Sequence, residues 1–172
     1  MKTVLFCLLL TLSSIATAKE GLTVDVKLSP AGSFQIVSEK INGMIVKVDG
    51  TYLAKDIKIP VKPFSTDIDL RDKHVKEKLE SKTFPYIQVK AAKASSGKGK
   101  ARLVVRKVEK LIDFDYSELP GNQLKINFKL SLKDFKFEDF SYMGITVEDE
   151  IKVEAQLGYT ERAATKPTKA KK

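Results

Sequence analysis

The segment QLKINFKLSL, residues 123–132, alternates apolar and polar side chains without interruption. Because successive side chains of a β-strand point to opposite faces, the apolar positions share one face of an extended chain. These positions are Leu124, Ile126, Phe128, Leu130 and Leu132. An apolar face of this length needs a hydrophobic core to cover it, so the segment predicts a strand that borders the core.

The same period of two recurs along the chain. It is found in LTVDVKL (22–28), AKDIKIPVKPF (54–64), YIQVKAA (86–92) and ITVEDEIKVEAQLGY (145–159). In YIQVKAA the alternation assigns Ile87, Val89 and Ala91 to one face. Turn signals such as Asp49-Gly50 separate the segments. The pattern predicts about eight strands in meander order, each with one apolar face.

Curling such a sheet into a closed barrel buries the apolar faces and removes the exposed edges. At about eight strands, a barrel interior is either filled by side chains or holds one small ligand. A sandwich of two sheets fits the pattern as the alternative. We therefore predict an all-β fold, an antiparallel barrel of about eight strands.

One stretch breaks the period of two. DLRDKHVKEKLES, about residues 69–81, predicts the one short α-helix of the chain. Asp69 suits the N-cap position and Asp72 the first turn, where the helix dipole favours carboxylates. Val75 and Leu79 are i,i+4 neighbours on a face of mixed polarity. A helix of this kind caps a barrel end better than it fills a core.

The only histidine of the chain, His74, lies in this helix. It either packs against the barrel rim through a hydrogen bond or contacts a ligand. A metal site needs several ligands, and the chain has no second histidine and only Cys7 as a cysteine. We predict no metal and no cofactor. The sequence also lacks G-x-S-x-G, H-E-x-x-H and a phosphate-binding glycine loop, so we expect no enzymatic activity.

Both ends of the sequence differ from the rest. Residues 1–18 combine Lys2, the apolar run VLFCLLLTL and a small-x-small site ending at Ala18, which is typical of a cleaved secretory signal peptide. The net charge is +9, and residues 161–172 hold five basic residues and one acid, or +4. We expect this tail to be disordered and dispensable for folding. Residues 19–160 form the predicted barrel domain, whose mild basic excess argues against a nucleic-acid binder.

Two segments resemble the YceI-like family of lipocalin-like periplasmic polyisoprenoid-binding proteins. The first is STDIDLRDKHVKEKLESKTFPYIQV (65–89), with Arg71, Asp72 and His74 ahead of Phe84-Pro85. The second is LSLKDFKFEDFSYMGITVEDEIKVEAQL (130–157).

The resemblance implies a periplasmic, non-enzymatic protein that holds an isoprenoid or other long-chain lipid inside the barrel. The inward side chains would then line an apolar cavity, and Arg71 and His74 would contact the head group. The expected cavity residues are Phe34, Ile36, Ile57, Ile59, Phe84, Ile87, Val89, Leu103, Val105, Ile126, Phe128 and Leu130.

The alternative is an exported structural or interaction protein with a solid barrel core. Such a protein would dock on an anionic membrane surface through its basic tail. The sequence leaves the oligomeric state open, a homodimer included.

We predict that the signal peptide is cleaved after Ala18, because the small residues there follow an apolar run too short to span a bilayer. Protein sequencing of the exported chain should begin at Lys19. A soluble chain that retains Met1 would contradict the assignment.

Overall fold

The structure is a computed structural model that describes residues 20–30, 32–138, 141–142 and 145–163. The predicted signal peptide and the tail beyond residue 163 lie outside the described residues. Within them the chain forms an all-β barrel with one α-helix, as predicted. The strands are β1 Gly21–Ser29, β2 Ser33–Ser38, β3 Ile45–Val48, β4 Thr51–Pro60, β5 Tyr86–Ser95, β6 Lys98–Val105, β7 Val108–Leu119, β8 Gln123–Ser131, β9 Ser141–Tyr142, β10 Ile145–Val147 and β11 Glu150–Glu161. The helix α1 spans Asp69–Lys78, and a 3₁₀ turn spans Lys133–Phe135.

Seven strands close the barrel, which corrects the prediction of eight antiparallel strands. The ring runs β3-β4-β5-β6-β7-β8-β11 and returns to β3. The joint between β11 and β3 is parallel, with Tyr159 opposite Ile45 and Glu161 opposite Lys47. The meander pattern did not reveal this joint, because alternation fixes the face of a side chain but not the partner of a strand.

Of the two remaining long strands, β1 attaches to the same edge of β11, and β2 attaches to β1. β1 pairs with β11 from Gly21 to Asp25, before the point where β3 takes over that edge. β2 pairs with the other side of β1, and the bridge between Val37 and Ser65 ties β2 to the segment that follows β4. The barrel is therefore wider at the end where β1 and β2 are inserted.

The inward faces of β1, β4 and β11 form the packed part of the core. Their buried side chains are Leu22, Val24, Val26, Tyr52, Ile57, Ile59, Val153, Ala155 and Leu157. The alternation predicted for β1 and β11 is confirmed by this pattern.

The predicted alternation in β5 is wrong at Ala91. The register of β5 on β6 shifts between Val89 and Ala91, which is a β-bulge. A bulge adds one residue to a strand, so the inward positions change parity. Ala94 is consequently buried, and Ala91 is exposed.

Helix α1 lies between the end of β4 and the start of β5, at the wide end of the barrel. It is shorter than the predicted 69–81 because Glu80 adopts a left-handed conformation (φ 50°). The amide of Ser81 donates to the Lys76 carbonyl and that of Glu80 to the Glu77 carbonyl, which ends the helix. No residue of the helix is fully buried, although Val75 packs on the core.

The N-terminus of α1 is also built differently from the prediction. Ile68, not Asp69, occupies the N-cap position and makes no side-chain cap. Asp72 instead accepts hydrogen bonds from the Thr66 amide and the Thr66 hydroxyl, both at 2.6 Å. These bonds lower the pKa of Asp72, the Thr66 hydroxyl being the largest cause. Asp72 thus fixes the helix to the loop that follows β4.

We predict that Asp72→Asn lowers the free energy of unfolding by about 1–2 kcal/mol at pH 7, because a charge-assisted acceptor is lost. A carboxyl whose pKa is lowered by folding contributes stability above its unfolded pKa, near 4, and loses it as pH falls through the folded pKa. The difference between variant and wild type should therefore shrink toward pH 3. Urea unfolding at several pH values measures it. Asp69→Asn is the matched control, since it removes a carboxylate from the same turn without a bond to Thr66; an equal effect of both substitutions would contradict the assignment.

Candidate functional site

Strands β7 and β8 pair over only part of their lengths. Their pairing runs from Leu119 opposite Gln123 to Asp115 opposite Asn127. Beyond that point β7 continues toward Val108 on β6 alone, and β8 continues to Ser131 on β11 alone. The barrel wall therefore forks toward the wide end of the barrel.

The fork opens a cleft of about 910 Å³. This volume falls within the ordinary range of small-molecule sites. Its lining includes side chains from both faces of the sheet, such as inward Phe128 and outward Asn127. The cleft is thus an opening through the wall rather than a groove on its surface.

The inner part of the cleft is apolar. Its lining residues there are Ile112, Phe114, Phe128, Leu130, Phe135 and Val153. On the β8 side, Ile126, Phe128 and Leu130 are only partly buried. The middle inward side chains of β1 and β11 are buried, namely Leu22, Val24, Val26, Val153, Ala155 and Leu157. Burial is therefore most complete on β1, β4, β6 and β11, and it is incomplete on β7 and β8, where the cleft opens.

One glycine makes room for an aromatic wall of the cleft. Gly99 of β6 pairs with Phe114 of β7. A Cβ at Gly99 would lie 2.2 Å from the Phe114 ring, a distance that no folded chain tolerates. The absence of a side chain at Gly99 thus allows the ring to lie against the inner face of β6.

The rim of the cleft carries both signs of charge. Its lysines are Lys98, Lys110, Lys129 and Lys152, and its acids are Asp25, Asp113, Asp115, Asp134 and Glu154. Lys110 Nζ lies 3.6 Å from Asp134 Oδ1, so this ion pair connects β7 with the 3₁₀ turn across the fork. Lys129 is paired with Glu150 at 2.8 Å. A rim of paired charges presents polar groups without a strong net field.

Arg106 holds the wide end of the barrel together beside the cleft. It lies in the turn between β6 and β7, and its Nη1 donates to Glu80 Oε1 at 3.0 Å. Its Nη2 donates to the carbonyls of Phe135 and Lys136, and the guanidinium lies 4.2 Å from the Phe137 ring centroid. The helix C-terminus and the 3₁₀ turn are thereby fixed to one hairpin.

Asp149 fixes the other side of the same turn. Its carboxylate accepts bonds from the Ser131 hydroxyl at 2.7 Å and from the Lys133 amide at 2.8 Å. These bonds, led by the Ser131 hydroxyl, lower the pKa of Asp149. The floor of the cleft at the 3₁₀ turn is therefore held in place from both sides.

The opposite, narrow end of the barrel is closed by aromatic rings. The Tyr52 ring packs edge-to-face on Tyr116 and Tyr159, with centroids 5.2 and 5.0 Å apart. Lys47 Nζ lies 5.2 Å from the Tyr52 centroid and pairs with Glu118. The Tyr52 hydroxyl is buried, and this burial raises the pKa of Tyr52. Access to the interior is thus blocked at this end.

Of the twelve residues expected to line a cavity, Phe128 and Leu130 line the cleft. Nine others belong to the two clusters of apolar side chains that form the core: Phe34, Ile36, Ile57, Ile59, Ile87, Val89, Leu103, Val105 and Ile126. Phe84 lies apart from these clusters, with Lys107 Nζ 5.8 Å from its ring centroid.

The two residues expected at the head group lie on α1. The Arg71 guanidinium covers the Phe34 ring at 4.6 Å, and His74 is exposed. Neither lines the cleft. Their head-group role stays a prediction.

The sequence interpretation did not single out Ile112, Phe114, Lys110 or Arg106. The alternation of Ile112 and Phe114 was visible in the sequence, but the fork that exposes them was not. No local sequence pattern indicated a role for Arg106, because its partners lie 26 to 30 residues away along the chain.

Within the described residues, no group of three or more histidine, cysteine, aspartate or glutamate side chains is arranged to hold a metal ion. No helix of the described part of the chain is long and apolar enough to cross a membrane.

Comparison with solved structures places the fold among known barrels. The chain is 13% identical to Burkholderia cenocepacia BcnA, with a TM-score of 0.57 over 78% of this chain and 94% of that one. It is 12% identical to a polyisoprenoid binding domain from Saccharophagus degradans implicated in plant cell wall breakdown, with a TM-score of 0.57 over 80% and 91% of the two chains. At such identities the likeness establishes the shared fold.

Among curated proteins, none matches the sequence significantly. The model of the YceI-like domain, in contrast, matches residues 15–159. This range includes both segments on which the resemblance was based. The chain therefore belongs to the YceI-like family.

Proposed function

We propose that the protein is a non-enzymatic carrier that binds an isoprenoid or related long-chain lipid in the barrel. The lipid chain enters through the cleft between β7 and β8. The protein acts in the periplasm after removal of its signal peptide. Membership of the YceI-like family and the fold shared with a polyisoprenoid binding domain support the ligand class.

The observation that carries the proposal is the incomplete burial of the inward face of β8 beside the cleft. Ile126, Phe128 and Leu130 of β8 are inward but only partly buried, and the last two line the cleft. In a solid barrel these positions would be covered like Leu124 on the same strand, which is 2% exposed. An apolar chain lying on them would complete the core.

The energetics of such a ligand follow from its length. Each CH₂ group moved from water to an apolar site contributes about 0.8 kcal/mol. A chain of several isoprene units therefore binds firmly with few polar contacts. The closed tyrosine end prevents the chain from passing through the barrel, so the head group remains at the mouth of the cleft.

The rim is the nearest polar surface for that head group. Lys110 is on the same face of β7 as Ile112 and Phe114, and its ion pair with Asp134 spans the fork. A phosphate or hydroxyl head group can replace Asp134 as the partner of Lys110. Arg71 and His74 remain the second possibility, since α1 packs at the same barrel end.

We predict that Phe128→Ala changes lipid binding more than it changes the stability of the ligand-free protein. Truncation of a packed core phenylalanine costs about 3–5 kcal/mol, partly through the void it leaves. At a position that already borders a cleft, the void merges with open space and the cost should fall below about 3 kcal/mol. Loss of the ring should weaken binding of a long-chain polyprenol about tenfold. Urea unfolding and polyprenol titration measure the two effects.

Leu124→Ala is the matched control, because Leu124 lies on the same face of β8 but in the packed part. It should lower the free energy of unfolding by about 2–5 kcal/mol and leave polyprenol affinity nearly unchanged. The chain has no tryptophan, so Phe128→Trp supplies a single fluorescent reporter in the cleft. A solid barrel would show a full core-sized loss for Phe128→Ala and no polyprenol bound by any variant.

The head group is located by the same titration. We predict that Lys110→Gln weakens binding of a polyprenyl phosphate relative to the polyprenol, because the rim cation is lost. Arg71→Ala and His74→Ala belong in the same series. A loss of affinity in these helix variants with none in Lys110→Gln would move the head group from the rim to α1.

A further inference from the structure

The outer face of the barrel carries a second concave surface, distinct from the cleft. It is a groove of about 720 Å³ on strands β3 to β7. Its apolar floor includes Met44, Leu53 and Leu111, which are 59%, 42% and 66% exposed. Large apolar side chains exposed together on an outer sheet face mark a surface that meets a partner.

Every charged residue of this groove is basic. These residues are Lys55, Lys93, Lys100, Arg102 and Arg162. Arg102 is paired with Glu109 and Lys100 with Asp113, whereas Lys55, Lys93 and Arg162 have no ion pair among the described residues.

The strand register concentrates these cations. Lys93 of β5 lies directly opposite Lys100 of β6. Like charges at opposed positions destabilise a sheet. Asp113 offsets the charge of Lys100, and an anionic partner on this face would offset that of Lys93.

The groove adjoins two other features of the molecule. Leu111 lines both the groove and the cleft, so the two surfaces meet at β7. Arg162 donates its backbone amide to the Lys47 carbonyl at 3.0 Å at the groove's edge. The chain beyond it carries four further lysines and no acid: Lys166, Lys169, Lys171 and Lys172.

We propose that this face docks on the surface of a bilayer that contains anionic phospholipid. The exposed apolar side chains enter the head-group region, and the basic residues of the groove bind the lipid phosphates. Docking in this orientation brings Leu111, and with it the mouth of the cleft, to the membrane. The groove faces the bilayer directly, and the tail lysines add to an attraction that does not depend on them.

The proposal is tested with vesicles of phosphatidylcholine containing phosphatidylglycerol, without any cleft ligand. The protein should co-sediment with them and bind pure phosphatidylcholine at least about tenfold more weakly. Lys55→Glu/Lys93→Glu should weaken binding to the anionic vesicles at least about tenfold. The control Lys62→Glu/Lys82→Glu makes the same change in net charge at exposed positions near α1 and should have an effect of less than about threefold.

A second pair of variants separates the apolar and tail contributions. Met44→Ser/Leu53→Ser should abolish the binding that remains when salt is raised to about 1 M, where charge interactions are screened. Replacing all four tail lysines by serine in the full chain should leave measurable binding to the anionic vesicles.

Three results would overturn the proposal. They are equal binding to both kinds of vesicle, equal effects of the groove and control charge variants, and complete loss of binding in the tail variant with the groove intact. A concentration-dependent dimer that Leu53→Ser dissociates would assign the groove to a second copy of the chain instead. All these outcomes are independent of polyprenol binding, so they distinguish this proposal from the proposed carrier function.

Discussion

The edge of β11 is shared by two strands, and the shape of the barrel depends on this sharing. The first half of the edge pairs with β1, and the last residues pair with β3 in parallel. A sheet that did not close would expose both an edge and an apolar face. The parallel joint closes the narrow end with seven strands, while β1 and β2 widen the other end. One edge therefore sets both the closure of the core and the difference between its two ends.

The two ends are stabilised by different interactions. At the narrow end, tyrosine rings fill the cross-section and Lys47 covers them. The wide end lies away from these rings. The helix and the 3₁₀ turn cover that end instead, and Arg106 connects them through hydrogen bonds to Glu80, Phe135 and Lys136. Because α1 and the 3₁₀ turn are attached to the β6–β7 turn, the neighbouring wall between β7 and β8 can remain open.

The fork in the wall links the fold to the proposed function. A closed barrel would isolate its apolar interior from a ligand. Separation of β7 from β8 beyond Asp115 and Asn127 leaves apolar side chains accessible from outside without unfolding any strand. The outer groove meets this opening at Leu111, so a lipid chain leaving a membrane would have a short path between apolar surfaces.

The sequence by itself determined the class of the fold and much of its interior. The alternation in β1, β8 and β11 fixed which side chains face inward, because burial of one face is a local consequence of a period of two. It also located α1 and carried the resemblance to the YceI-like family. The register required the tertiary structure: the bulge after Val89 exposes Ala91, and the parallel joint of β11 with β3 replaces an eighth strand. The cleft likewise depends on where β7 and β8 stop pairing, and the clamp of Arg106 depends on partners far along the chain. Such features follow from long-range hydrogen bonding between strands and turns, which leaves no periodic trace in a local sequence.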